Sequence, residues 1–235
     1  QKIETIFLVL PFLQINSQSK NPEFRLLNLI LFSYLFICFP LAQIYFKDSF
    51  FLNSYWTLFF FALTLTVLSF SGRLSFSQLG LSSPNSRNIS FGLVIGIFPV
   101  VVVVVLDLLL LKTGLAENDL FSGAEFRESP NLSIINLLLD GVINPVVSQI
   151  FITGYALNIL TKRNDLAILG NGILYATMNF NWGVGCLGLG MISAALLRFS
   201  GSIIPAIFFA IGCSAAKLLI LTSYPRITTL LVFLV

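Results

Sequence analysis

The chain has 235 residues, of which 57% are hydrophobic and only 10% are charged, and its net charge is +3. Soluble domains carry about 25% charged residues, so this composition indicates a membrane protein. The basic residues form no run, which excludes nucleic-acid binding through a basic patch. The sequence contains no histidine. Any mechanism that needs imidazole as a base or as a zinc ligand is therefore excluded.

Apolar segments that approach membrane-spanning length follow one another along the chain. Because a helical span needs about 20 apolar residues, we predict an all-α polytopic membrane helix bundle. The apolar stretches at 1–20 and 227–235 are too short to count as certain spans, so the bundle has seven to nine membrane segments. The seven predicted helices are 26–46, 50–70, 89–111, 140–161, 165–179, 183–199 and 202–221.

We divide the chain into N-terminal membrane helices with a loop (1–88), a helical core (89–222) and a short apolar C-terminal segment (223–235). If the helices alternate in direction, Arg73, Arg87, Lys162 and Arg163 fall on one side and the acidic loop 112–131 on the other. The positive-inside rule makes the first side cytoplasmic. A plasma membrane and a thylakoid membrane are both compatible with the sequence.

The helix at 140–161 carries polar residues at positions where lipid contact is costly. They recur at intervals of one to five residues, and most of them gather on one side of the helix. That side must face other helices, so this helix is predicted to be central in the bundle. The polar residues are Asp140, Asn144, Ser148, Gln149, Thr153 and Asn158.

The same stretch resembles the first signature of the CAAX-protease and bacteriocin-processing (CPBP) family of intramembrane metalloproteases. That signature is a Glu pair, three residues, an Arg, and usually Gly-Tyr. Here Ser148 and Gln149 stand at the Glu positions, Thr153 stands at the Arg position, and Gly154-Tyr155 follow. The resemblance implies a CPBP-like helical fold for the core.

Two further signatures of this family have counterparts downstream. Tyr175 and Asn179 stand at the positions of a Phe and a metal-binding His. Ala210 and Ser214 stand at the positions of a His and an Asn or Asp, after a Gly201-Ser202 turn. The resemblance covers about 79–214, and Leu79-Gly80-Leu81 and the small-residue pair Gly190 and Ala194 also fit it. Neutral residues at the ligand positions do not hold zinc, so we predict a degenerate member with no catalytic residue, metal or cofactor.

The replacement residues allow two interpretations. Ser148, Gln149, Thr153, Tyr155, Tyr175, Asn179 and Ser214 form either an internal cluster that binds a lipid head group, prenyl chain or peptide, or a network that only holds the helices in register. Ionisable residues inside the spans need partners. We therefore predict an intramembrane ion pair between Lys217 and either Asp107 or Asp140.

Three functions remain open. The first is a noncatalytic scaffold, assembly or stabilising subunit for another integral membrane protein or complex, photosynthetic if the membrane is a thylakoid. Degenerate members of the resembled family take such roles. The second is a transporter of ions, small molecules or lipids with Asp107, Asp140 and Lys217 along its path. The third is a residual intramembrane peptidase, against which the absence of a base argues. The expected partners are the lipid bilayer and another integral membrane protein.

Overall fold

The computed structural model describes residues 22–74, 79–81, 86–113, 134–160 and 166–222. Within these ranges the chain forms helices and turns, with no strand. The predicted all-helical fold and its seven helices are confirmed. The two terminal apolar segments, residues 114–131 of the acidic loop and Lys162-Arg163 lie outside the described residues. The helices are α1 (Pro22–Tyr45), α2 (Phe50–Phe70), α3 (Ser86–Thr113), α4 (134–160), α5 (Leu166–Met178), α6 (Val184–Ser200) and α7 (Ile204–Thr222).

Helix length and composition support a membrane protein. Three described helical stretches are long and apolar enough to cross a bilayer, namely Pro22–Tyr45, Ser86–Lys112 and Leu139–Ile159. The other apolar stretches, in α2, α5, α6 and α7, have 10–17 residues. Leu139–Ile159 differs from the other two long stretches because 56% of its most apolar window is buried inside the protein, against 17% for each of the others. As predicted, α4 is the central helix.

Helices α1 and α2 form a hairpin that packs on α4. The Ser49 side chain caps α2 by accepting a hydrogen bond from the Leu52 backbone amide at 3.4 Å. Deeper in the hairpin, Phe61 of α2 stacks on Phe151 of α4 with ring centroids 4.3 Å apart. Tyr34 of α1 is fully buried and joins the same apolar core. Aromatic packing therefore fixes the hairpin against the central helix.

Wide π-helical turns interrupt two of these helices. In α1 the turn is Tyr34–Cys38, just before Pro40, and in α4 it is Leu139–Ile143, just before Pro145. Proline has no backbone N–H and clashes with the preceding turn, which favours such a local widening. A second and longer π-helical stretch in α4, Gln149–Ala156, contains no proline. It contains Gln149 and Thr153, whose polar side chains are buried inside the bundle.

Glycines allow two close helix crossings. At the contact of α3 with α7, a Cβ atom on Gly212 would collide with the Gly96 carbonyl oxygen. At the contact of α5 with α6, a Cβ atom on Gly190 would lie 2.7 Å from the Asn171 carbonyl oxygen. Backbones that approach this closely are typical of small-residue interfaces between membrane helices. The crossing at Gly190 also brings α6 next to the polar face of α4.

The turn between α6 and α7 is fixed by the segment 79–81. Gly201 has φ of 69°, a left-handed conformation suited to the residue that ends a helix. Ser202 then accepts a hydrogen bond from the Ile204 amide through its hydroxyl oxygen. The Ile203 amide donates to the Gly80 carbonyl oxygen at 3.0 Å. Leu79-Gly80-Leu81 and the Gly-Ser turn are therefore two halves of one contact.

Candidate functional site

Three fully buried polar side chains form a hydrogen-bonded cluster at the centre of the helix bundle. The Thr153 hydroxyl donates to Gln149 Oε1 at 2.7 Å. Asn171 Nδ2 donates to Thr153 Oγ1 at 3.1 Å and to the Gly190 carbonyl oxygen at 2.7 Å. All three side chains are 0% exposed. The cluster therefore ties together α4, α5 and α6.

The local structure of α4 and α5 places these groups. Gln149 and Thr153 lie in the π-helical stretch, and their four-residue spacing leaves the hydroxyl within reach of the amide. Asn171 lies between Gly170 and Gly172 in α5. A Cβ atom on Gly172 would be 2.9 Å from the Leu187 carbonyl oxygen, so glycine lets α6 approach. This approach brings the Gly190 carbonyl to the Asn171 amide.

Some polar atoms of the cluster have further hydrogen-bonding capacity. Gln149 Nε2, Asn171 Oδ1 and Ser193 Oγ are buried and have no hydrogen-bond partner among the residues that the structure describes. Tyr175 of α5 faces the Gln149 side-chain amide with its hydroxyl, a group that can pair with Gln149 Nε2. Amide and hydroxyl groups donate and accept hydrogen bonds without charge. The cluster is therefore suited to neutral hydrogen bonding.

The other predicted site residues do not all join this cluster. Ser148 is buried, and its hydroxyl donates to Asn144 Oδ1 in the same helix at 3.2 Å. Asn179 Nδ2 donates to the Tyr175 carbonyl oxygen at 2.8 Å, again within its own stretch of chain. Ala210 is buried and apolar, and Ser214 is half-buried on α7. The structure thus brings together Gln149, Thr153 and Tyr175 from the predicted set.

Asn171 and Ser193 belong to the buried polar set but were not predicted from the sequence. Asn171 is the single amide in the apolar run LAILGNGILYA, and it is flanked by glycines. Ser193 follows Gly190 at a spacing of three residues, which places both on one face of α6. A lone amide flanked by small residues within an apolar helix was the available signal.

The polar face of α4 is buried only at its centre. Ser148, Gln149 and Thr153 are buried, whereas Asp140 and Asn158 at the two ends are exposed. The Asp140 carboxylate accepts a hydrogen bond from Tyr55 Oη of α2 at 3.1 Å. Of the other two residues in the predicted ion pair, Asp107 of α3 is buried and Lys217 of α7 is exposed. The pairing of Lys217 with either carboxylate stays a prediction.

The side chains at the presumed ligand positions do not fit the metal ion that the resemblance implies. Zinc takes thiolate, imidazole or carboxylate ligands. The four positions hold the Ser148 hydroxyl, the Gln149 and Asn179 amides, and the methyl group of Ala210. The polar side chains among them already hydrogen-bond within their own segments of the chain. These hydroxyl and amide groups are suited to holding helices together or to binding an uncharged molecule.

Comparison with known families supports the resemblance found in the sequence. Residues 130–216 match the family model described as Type II CAAX prenyl endopeptidase Rce1-like. The match covers α4, α5, α6 and most of α7, and it includes the whole buried cluster. No curated protein and no solved structure matches the chain. The predicted CPBP relationship is therefore confirmed over these residues.

Proposed function

We propose that this membrane protein, which is Rce1-like over residues 130–216, acts without catalysis as a scaffold or stabilising subunit for another integral membrane protein. The observation that carries the proposal is the hydrogen bonding of the Gln149 side chain. It stands where the resembled family has a Glu, and its amide oxygen accepts a hydrogen bond from Thr153, which stands at the Arg position. A neutral hydrogen bond thus stands where the resembled family has a Glu and an Arg, which are both charged.

The chemistry of the site supports this proposal further. Hydrolysis of a peptide bond needs an activated water and a group that takes its proton. The buried cluster of Gln149, Thr153 and Asn171 contains amides and a hydroxyl, which are poor bases near neutral pH. Its hydrogen bonds join α4, α5 and α6. A bundle whose interior is held in this way is suited to presenting its outer surface to a partner.

The outer surface of α1 offers apolar area for such contact. Phe32 and Phe36 are 59% and 66% exposed, and their ring centroids lie 4.7 Å apart. Leu29 extends the same strip one turn earlier. Aromatic side chains supply much of the contact energy in protein interfaces. We assign this strip as the first surface to test for a partner, since it presents two neighbouring exposed aromatic rings on one side of α1.

Partner association is tested by purifying the tagged chain from its native membrane in mild detergent and identifying bound proteins by mass spectrometry. The expected result is one membrane protein recovered in comparable amount. The double change Phe32→Ala and Phe36→Ala should reduce that recovery several-fold. Phe199→Ala on α6, which is also highly exposed, is the matched control and should retain the partner. Recovery of the chain as a lone monomer contradicts the scaffold role.

A second candidate is a residual intramembrane peptidase, favoured by the endopeptidase name of the matching family. It is tested by incubating the purified chain in liposomes with a prenylated peptide that ends in a CAAX sequence. The noncatalytic proposal expects no cleavage above that of empty liposomes. Cleavage that disappears in Gln149→Met but persists in Thr66→Val, a change on the exposed side of α2, establishes the peptidase instead.

A further inference from the structure

Basic side chains gather at one end of the helix bundle, which we call the basic end. Among the described residues, the charged side chains at this end are exposed, and they are Arg25, Arg73, Arg87, Arg198 and Glu23. The other half of the bundle carries equal numbers of basic and acidic residues within the same ranges, namely Lys47, Asp48, Asp107, Lys112, Asp140 and Lys217. The excess of positive charge is therefore confined to one end.

The ends of several helices meet at the basic end. Tyr155 near the end of α4 interacts electrostatically with both Glu23 and Arg73, so the start of α1 lies close to the residues that follow α2. On the other side, a Cβ atom on Gly92 of α3 would lie 3.2 Å from the Pro205 Cα atom of α7. The segment 79–81 joins the two sides, because it contacts both α4 and the turn before α7.

Two of these arginines lie on neighbouring helices at the same level. Phe91 of α3 and Phe199 of α6 have ring centroids 5.9 Å apart. Arg87 is one turn before Phe91 on the same side of α3, and Arg198 is the residue next to Phe199. A guanidinium group has five N–H donors, so each arginine can bind a phosphate beside any other partner that it has.

Exposed apolar side chains continue from this arginine pair towards the middle of the bundle. On α6, Phe199 is 80% exposed, and Ile192, two turns earlier, is 44% exposed. On α3, Val94 and Phe98 are 69% and 63% exposed. The surface thus presents cations at its end and apolar groups directly beside them. An anionic phospholipid has the matching order, with a phosphate next to its acyl chains.

We propose that Arg87 and Arg198 bind the phosphate of an anionic phospholipid whose acyl chain lies along Phe199. The net charge of the head group matters because a zwitterionic lipid carries its own cation beside the phosphate. A basic residue near an anionic membrane surface contributes about 1 kcal/mol, which corresponds to about fivefold in affinity. This lipid site lies on the outside of α3 and α6 and does not depend on a scaffold role.

Native mass spectrometry of the purified full chain in detergent tests this site. Dioleoyl phosphatidylglycerol should bind more tightly than dioleoyl phosphatidylcholine, which has the same acyl chains and a zwitterionic head group. Arg87→Gln and Arg198→Gln should each lower the affinity for phosphatidylglycerol about fivefold and change that for phosphatidylcholine little. Lys112→Gln is the matched control, because it removes one exposed positive charge at the other end of α3.

The double change Arg87→Lys and Arg198→Lys separates charge from folding. It keeps both charges, so it should retain most of the preference for phosphatidylglycerol. A Lys pair that binds no better than the Gln variants would overturn the proposal, as would equal affinity for the two lipids or equal losses in Lys112→Gln and Arg87→Gln. Displacement of the lipid by inorganic phosphate would also overturn it, because the arginines would then bind a free anion.

Discussion

Asn171 of α5 donates a hydrogen bond to the hydroxyl oxygen of Thr153 in α4 at 3.1 Å, inside a helix bundle with an otherwise largely apolar core. The Thr153 hydroxyl in turn donates a hydrogen bond to Gln149 Oε1. This one hydroxyl therefore connects two amides on two helices. Its removal should show how much the cluster contributes to stability.

Thr153→Val keeps the shape of the side chain and removes both hydrogen bonds. At about 0.6 kcal/mol for each bond in a membrane protein, plus a cost for the amides left unpaired, we expect a loss of about 1–2 kcal/mol. Thermal unfolding in detergent measures this change. Thr66→Val is the matched control, because the exposed Thr66 hydroxyl bonds only the Ala62 carbonyl of its own helix. Equal effects of the two changes would argue against a stabilising cluster.

The crossing of α3 and α7 depends on Gly212, whose position has no room for a Cβ atom beside the Gly96 carbonyl. Gly212→Ala should push the helices apart and destabilise the chain by about 1–3 kcal/mol, as overpacking does elsewhere. Gly188→Ala is the control, since nothing lies within 4 Å of a Cβ atom there. Its effect should be neutral or stabilising by up to about 1 kcal/mol through helix propensity. The prediction is wrong if both variants behave alike.

Tyr34 connects α1 to two other parts of the bundle. Its hydroxyl shares a hydrogen bond of 2.7 Å with Thr57 Oγ1 of α2 and donates to the Met178 carbonyl oxygen at the end of α5. Tyr34→Phe should therefore cost about 1–3 kcal/mol, since buried polar groups lose their partner. Tyr45→Phe, at a position 77% exposed, should change Tm little. Thermal unfolding of both variants is the measurement.

The hydrogen bond from Tyr55 to Asp140 joins α2 to α4 away from the buried cluster. A double-mutant cycle of Tyr55→Phe and Asp140→Asn should give a coupling free energy of about 0.5–1.5 kcal/mol. The same experiment with Lys217→Met in place of Tyr55→Phe tests the ion pair predicted from the sequence. Additive losses in the first cycle would show that the Tyr55 hydroxyl does not stabilise Asp140.

The positions of the helices followed from the sequence because apolar segments of this length have only one way to satisfy their backbone groups in lipid. Predicted boundaries such as 50–70 for α2 agree with Phe50–Phe70 in the structure. The π-helical stretch Gln149–Ala156 was not predicted. No proline marks it, and the hydrophobic pattern does not distinguish a wide turn from an α-helical one.

The candidate site was predicted only in part. Gln149 and Thr153 share one helix, so their spacing already placed them near each other. Asn171 lies 18 residues after Thr153 in the chain, and its contact depends on how α5 and α6 pack at Gly172 and Gly190. Ser148 and Asn179 hydrogen-bond within their own segments and do not join the cluster. Their positions in the sequence did not show this separation.

The sequence by itself determined an all-helical membrane protein, the CPBP-like order of its core segments and the neutral chemistry at the positions of the family's metal ligands, because these properties depend on residue type and spacing along one chain. Only the tertiary structure decided which polar groups meet. Hydrogen bonds form only when donor and acceptor come within about 3 Å. Close helix crossings such as the one at Gly190, where two backbones touch, bring the polar groups within that distance. The cluster of Gln149, Thr153 and Asn171 is the result of that packing.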